Sequence, residues 1–418
     1  MTIFFKNKEY RKFSIASILS SAGDILFYLA LMTYASRLKN YSLALSLIAI
    51  SESVPRLFSS VDGYLADRTQ NKFQKIVWMA MIRGALYLLV GFLFSQNIAG
   101  WNLVIMVIII NFISDTAGTY SSGLTTPLVI NLVKKDEVGE AEGFTGGMSQ
   151  VITLISQFVG SGLLLFLSYS ALAAINGLTF ILAGLIYYNI ARSKRKNGIA
   201  TVTQEVDDRG FWATLALALK QVKKAAGLMT TVLVIAVLNG VLSTIEPLVS
   251  IVVAGNRQVM VIGTYSFTIA LVGAMVGIGT ALGSIIGTNL FKKISLYAVI
   301  LFANVAGASV IIAILNKNIW ACLVTCCFLG FFLGVASPKL TQWMVGAVDH
   351  TILASSVGLI NTILLVVSPL MTTAFTTLSA VTNVQYSLLG LLFISILLLV
   401  ITVVVMKKSA KKEELTTI

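Results

Sequence analysis

The chain has 418 residues, 57% of them hydrophobic and 11% charged, with a formal net charge of +13 and a mean hydropathy of +0.90. So few polar groups cannot cover a water-soluble globule, which excludes a soluble enzyme or binding module. Backbone groups find no water in hydrocarbon, so spans must be helices or a closed barrel; the apolar runs last about 20 residues, the helical length for crossing a bilayer, and lack the alternation of barrel strands.

In chain order, Lys6, Lys8, Arg11 and Lys12 precede an apolar run from Phe13 to Ser36 that is too long for a signal-peptide core and has no small-residue cleavage site, so it reads as a retained first span. Twelve apolar windows follow from the sequence, at 13–36, 43–66, 76–95, 101–125, 143–167, 170–191, 228–253, 262–290, 295–315, 319–341, 351–377 and 384–406. With both termini in the cytoplasm and the connections alternating, only Arg37, Lys39, Arg257 and Lys317 of the 30 Lys and Arg lie outside, and Arg56 and Arg83 lie within spans. That bias follows the positive-inside rule. It explains the net charge through the bilayer and makes nucleic acid an unexpected partner.

The longest polar stretch divides the windows six and six. The expected organisation is a bundle over 1–191, a cytoplasmic linker over 192–227, a second bundle over 228–406 and a cytoplasmic tail over 407–418. Within the linker, Phe211, Trp212, Leu215, Leu219 and Val222 opposite Lys220, Lys223 and Lys224 predict a helix lying in the membrane interface. Cys322, Cys326 and Cys327 fall in one apolar run, His350 is the only histidine and no Gly-x-x-x-x-Gly-Lys-Ser/Thr loop occurs. These observations predict no metal, no cofactor, no ATP-driven cycle and no enzyme chemistry.

Between the second and third windows lies Asp62-Gly63-Tyr64-Leu65-Ala66-Asp67-Arg68-Thr69-Gln70-Asn71-Lys72. A glycine at a helix end lets another backbone approach, and Asp67 and Arg68 sit where water, headgroups and protein meet. This stretch resembles the motif that major facilitator superfamily transporters carry between their second and third helices. The resemblance implies an all-α membrane protein of twelve transmembrane helices in two six-helix bundles, the major facilitator fold, with each bundle built from two inverted three-helix units. It also implies a cytoplasmic latch of Asp62, Gly63, Asp67, Arg68 and Lys72, braced by Arg83 and reaching Asp349 at the start of the eleventh span, where Asp349 is placed to cap the helix. A weak echo, Gly279, Gly283 and Gly287 followed by Lys292 and Lys293, lacks an Asp-Arg pair and reads as glycine packing between helices.

An ionisable group in hydrocarbon costs about 2.5–3.5 kcal/mol on insertion scales, so each intramembrane charge asks for a reason. Asp24 shares a helical face with Ser17, Ser21 and Tyr28; Asp115 with Asn111, Thr119 and Ser122; Glu246 with Asn239, Ser243 and Ser250. Such faces look into something wetter than lipid, and in the superfamily the first, fourth and seventh helices line the central cavity. Asp24 is either a protonatable or cation-contacting site or a structural partner of Arg56. Glu52 and Arg56, four apart, either neutralise each other or leave Glu52 for proton exchange. Arg83 either meets Asp115 or braces Asp62 or Asp67, the brace being the expectation. Glu246 before Pro247 is either a gate beside a kink or a solvated outer helix end. Pro369 likewise predicts a kink.

Further segments resemble the bacterial macrolide-efflux-like branch of the superfamily: Ser21-Ala22-Gly23-Asp24 with Ala30-Leu31, Ser42-Leu43-Ala44-Leu45, Pro55, Arg83, Pro127-Leu128 and Asp136-Glu137. The fifth window departs from the proton-antiporter pattern, carrying Phe158-Val159-Gly160-Ser161-Gly162 without proline, and Gln70-Asn71-Lys72 stands where a glycine and more cations are common. What the resemblance implies is a monomeric bacterial plasma-membrane transporter that exports a hydrophobic or amphipathic small molecule in exchange for protons. Nutrient import, or a non-transporting receptor or immunity protein on the same fold, are the alternatives.

Overall fold

A computed structural model describes residues 2–96, 98, 100–134, 137–196, 228–287, 290–347 and 353–416, and every regular element among them is helical. In order these are α1 (Thr2–Lys6), α2 (Lys8–Ala35), α3 (Tyr41–Leu57), α4 (Ser59–Arg68), α5 (Lys72–Ser95), α6 (Trp101–Ile130), α7 (Val138–Leu163) and α8 (Tyr169–Lys196). After the linker come α9 (Leu228–Gly255), α10 (Arg257–Met260), α11 (Tyr265–Leu282) with a π-helical turn at Gly283–Gly287, α12 (Leu296–Leu315), α13 (Ile319–Ala347), α14 (Leu353–Val381) and α15 (Val384–Thr416). Among the described residues, ten helices are long and apolar enough to cross a membrane. The second span, divided into α3 and α4, and the more polar α7 complete the twelve expected windows. The predicted interfacial helix, Asp136, Asp349 and His350 lie outside the described residues.

Local chemistry sets the helix ends. The Asn7 side chain accepts from the backbone N–H of Glu9 and Tyr10 and donates to the Leu132 carbonyl at 2.7 Å, so α2 starts well before the apolar run does. Thr264 caps α11 through Phe267 N–H and Ser295 caps α12 through Ala298 N–H. The second span breaks after Pro55: Phe58 N–H bonds back to the Pro55 carbonyl at 3.0 Å and α4 restarts at Ser59. The last helix continues to Thr416, so the predicted tail is helical over most of its length.

Two compact units emerge, Met1–Lys39 with Pro55–Asp208, and Asn40–Val54 with Arg209–Ile418. The difference from a division at the linker is that most of α3 groups with the second half of the chain. In the first unit α2 packs on α7 and α8, α5 on α8, and α6 on α4 and α5, around Tyr10, Phe13, Leu124, Leu128 and Tyr187. In the second, α9 packs on α14, and α13 on α11 and α12, with Val232, Leu238, Ile300 and Leu398 in its core. There Ser46 Oγ donates to the Thr376 carbonyl at 2.8 Å and Ser42 Oγ to that of Ser379 at 3.3 Å, which ties α3 to α14.

The glycines of the weak motif echo pack between helices. A Cβ on Gly279 or Gly283 would overlap the carbonyl oxygens of Cys327 and Phe331 on α13, and one on Gly330 or Gly334 those of Val276 and Thr280 on α11. Glycine on both helices brings the two backbones into direct contact.

Candidate functional site

Inside the first unit, α2, α5, α6 and α8 converge on Arg83. Its Nη2 donates to Asp24 Oδ2 at 2.6 Å and its Nε to Ser114 Oγ at 3.1 Å. The guanidinium plane lies 4.0 Å from the centroid of Phe180, and Gly118 on α6 leaves it room, since a Cβ there would meet Cζ at 3.1 Å. Arg83 is 8% exposed in its side chain, whereas Asp24 keeps 33%. Asp24 Oδ1 is itself buried and has no hydrogen-bond partner. One carboxylate oxygen is therefore spent on the cation and the other is held in place with capacity to spare.

A second chain of hydrogen bonds runs beside the first. Tyr87, one turn after Arg83, donates to Asn111 Oδ1 at 2.7 Å, and Asn111 Nδ2 donates to Asp115 Oδ2 at 2.7 Å. Arg83 feels the charge of both Asp24 and Asp115. Tyr87 stacks on Phe180 with centroids 5.6 Å apart and meets Phe27 edge-on at 5.0 Å, so an apolar aromatic wall backs the polar cluster. In such a medium a buried charge is tolerated only when paired and hydrogen-bonded.

This geometry corrects one expectation. Arg83 does not brace Asp62; it pairs with Asp24, because α5 carries Arg83 to the depth of Asp24 on α2. By the same bond Asp24 has Arg83 as a partner, whereas the sequence offers Arg56 as one of two alternatives. Arg56 is exposed near the end of α3. Tyr28 and Glu52 are half-buried, Asp115 is half-buried within the cluster, and Glu246 is exposed on α9, where Ser250 Oγ donates to its backbone carbonyl. Ser114, Tyr87 and Phe180 were not singled out from sequence; a tyrosine four residues after the intramembrane arginine and a serine beside Asp115 were the available signals.

The motif residues form a separate assembly at the α4–α5 turn. Lys72 Nζ donates to the carbonyls of Ala66 and Thr69, clipping the end of α4, and Arg68 lies 3.6 Å over the Tyr64 ring. Asp62 is 8% exposed, and its buried Oδ2 has no hydrogen-bond partner. Gly63 corrects a further expectation. A Cβ there would meet nothing within 4 Å, so the close approach is made instead by Gly123 of α6, whose Cβ position lies 3.3 Å from the Asp62 carbonyl oxygen. The Asp67 side chain lies outside the described residues.

Twelve helical spans in two units, with an ion pair in the apolar interior of one of them, define an all-helical polytopic membrane protein. The sequence matches the Major Facilitator Superfamily over residues 13–372, and the chain belongs to that superfamily. No curated protein matches it. Among solved structures it is similar to an auto-inhibited POT family peptide transporter (13% identity, 96% of this chain and 97% of that one, TM-score 0.72). It is also similar to the nucleoside transporter NupG (12%, 96% and 99%, TM-score 0.67) and to a bacterial homologue of the human lysosomal transporter Spinster (10%, 97% and 98%, TM-score 0.69).

Proposed function

We propose that this protein is a secondary transporter of the bacterial plasma membrane, of the macrolide-efflux-like kind, that exports a hydrophobic or amphipathic small molecule in exchange for protons by alternating access. The observation that carries the reading is the Asp24–Arg83 pair, with one Asp24 oxygen lacking a hydrogen-bond partner. A proton arriving at Asp24 removes the charge that holds the guanidinium; Arg83 is then left to Ser114 and the field of Asp115. Protonation is thereby tied to a rearrangement between α2, α5 and α6. Glu52 and Glu246 are the further carboxylates of the proposed path, and Tyr28, one turn from Asp24, supplies an aromatic surface for a greasy substrate.

The test is substrate flux in everted vesicles. Acidifying the lumen should drive accumulation of an amphipathic compound to which the expressing cells are resistant, and Asp24→Asn should abolish that accumulation while the protein remains in the membrane. Uptake of a nutrient into intact cells down a proton gradient would overturn the export direction. Activity unaffected by Asp24→Asn would overturn the coupling role.

A further inference from the structure

A groove of about 1100 Å³ in the first unit lies between α4, α5 and α6, away from the ion pair. Its lining changes character along its length on both long walls. On α5, Lys75, Trp78 and Ile82 follow one another at helical spacing, from cation to indole to alkyl side chain. On the antiparallel α6, Tyr120 and Thr116 give way to Ile113 over a similar distance. At 1.5 Å per residue the change from charged mouth to apolar floor takes about 10 Å, the depth over which a bilayer passes from headgroup to acyl chain. Trp78 is 58% exposed, Ile82 41% and Ile113 48%, so the floor is open to whatever surrounds the protein.

The mouth is built for an anion. Arg68 and Lys75 border it. Beside them is the start of the 24-residue α5, where Asn71 adopts a left-handed conformation and makes no side-chain cap while its carbonyl accepts from the N–H groups of Gln74 and Lys75, and where the helix dipole favours an anion. Among the described lining residues the one acid, Asp62, lies about 9 Å deeper on α4. Its charge disfavours a second negative group near the floor and so confines an anion to the mouth. A soluble phosphate would use the mouth and leave the apolar half of the groove wet. An amphiphile with an anionic head uses both.

We infer that this groove binds an anionic glycerophospholipid, its phosphodiester at Arg68, Lys75 and the start of α5, and one acyl chain running past Trp78 toward Ile82 and Ile113. Basic pockets between spanning helices are a recurrent headgroup site. The groove is distinct from the proposed transport site, and on the proposed topology it faces the cytoplasmic leaflet.

The experiment places the purified full-length protein in nanodiscs with a brominated phosphatidylglycerol or a brominated phosphatidylcholine. It reads the quenching that is present in the wild type and absent in Trp78→Phe, which isolates Trp78 from the other four of five tryptophans. Two cations at about 1 kcal/mol each predict roughly 30-fold tighter quenching by the anionic lipid. Arg68→Gln with Lys75→Gln should remove that preference, and Lys75→Gln alone, at an exposed position, should reduce it to roughly fivefold. Soluble glycerophosphate should not compete. Equal quenching by both lipids, a preference that survives the double substitution, or a preference for the zwitterionic lipid would each overturn the inference. The readout needs no transport, so a failed flux assay and a failed lipid assay are separable.

Discussion

Arg83 is the residue on which the first unit's interior charge balance turns. Its cost in hydrocarbon is met by Asp24, Ser114 and the face of Phe180, and removing one member of such a pair leaves the other uncompensated. Arg83→Gln should therefore destabilise the protein by roughly 2–4 kcal/mol, below the fully buried range because Asp24 keeps a third of its exposure. Asp24→Asn added to Arg83→Gln should cost less than the two single changes together. Thermal unfolding in detergent for the two singles and the double checks this; strict additivity would mean the pair contributes nothing. Tyr87→Phe removes the hydrogen bond to Asn111 Oδ1 and should cost about 1–2 kcal/mol. At this scale the sequence showed that charges at positions 24, 83 and 115 needed partners but not which partners, because spacing along one helix says nothing of how far a neighbouring helix slides past it. Arg83 lies two turns into its span, close enough to the motif for a brace to be reasonable; the axial offset of α5 against α2 decided otherwise.

At the scale of the element, glycine separates helices that must touch from helices that need not. Gly330 and Gly334 of α13, Gly279 of α11 and Gly283 of the π-helical turn that follows it have no room for a methyl group. Gly330→Ala should thus force the helices apart and cost about 1–3 kcal/mol, seen as a lower midpoint in a thermal melt of the purified protein. Gly63→Ala is the contrasting case, since its Cβ would enter open space on a helix and alanine is the better helix former by up to about 1 kcal/mol. Stability should be unchanged or raised. If transport is nevertheless lost, the latch expected at this motif needs a close approach at Gly63 in another state of the cycle. Element existence was legible throughout because each span needs one long apolar run. The break of the second span at Phe58 was not, since Pro55 marks where a helix is weakened without saying whether its neighbours hold it together. The grouping of Asn40–Val54 with the second unit was equally hidden: Ser42 and Ser46 bond to backbone carbonyls of α14, which no side-chain pattern announces.

For the whole molecule, the asymmetry of cations remains the best guide to which way the chain is threaded. Four of 30 Lys and Arg fall on the side opposite the termini in the twelve-span reading, and that bias sets orientation through the short loops close to the spans. The Asn40 loop, beside Arg37 and Lys39, should face outward, and the Gln70 loop, beside Arg68, Lys72 and Lys75, should face the cytoplasm. Both positions are exposed. The native thiols sit in α13, two of them buried and Cys327 half-buried, so a Cys327→Ala background should leave little reaction with a membrane-impermeant maleimide. In that background Asn40→Cys should label in intact cells, and Gln70→Cys only in everted vesicles. The reverse pattern would place the Arg68 and Lys75 groove in the outer leaflet and turn the proposed proton path from Asp24 toward the opposite side of the membrane. Labelling of both positions from the same side would require an even number of crossings between them, which a single second span of α3 and α4 cannot supply.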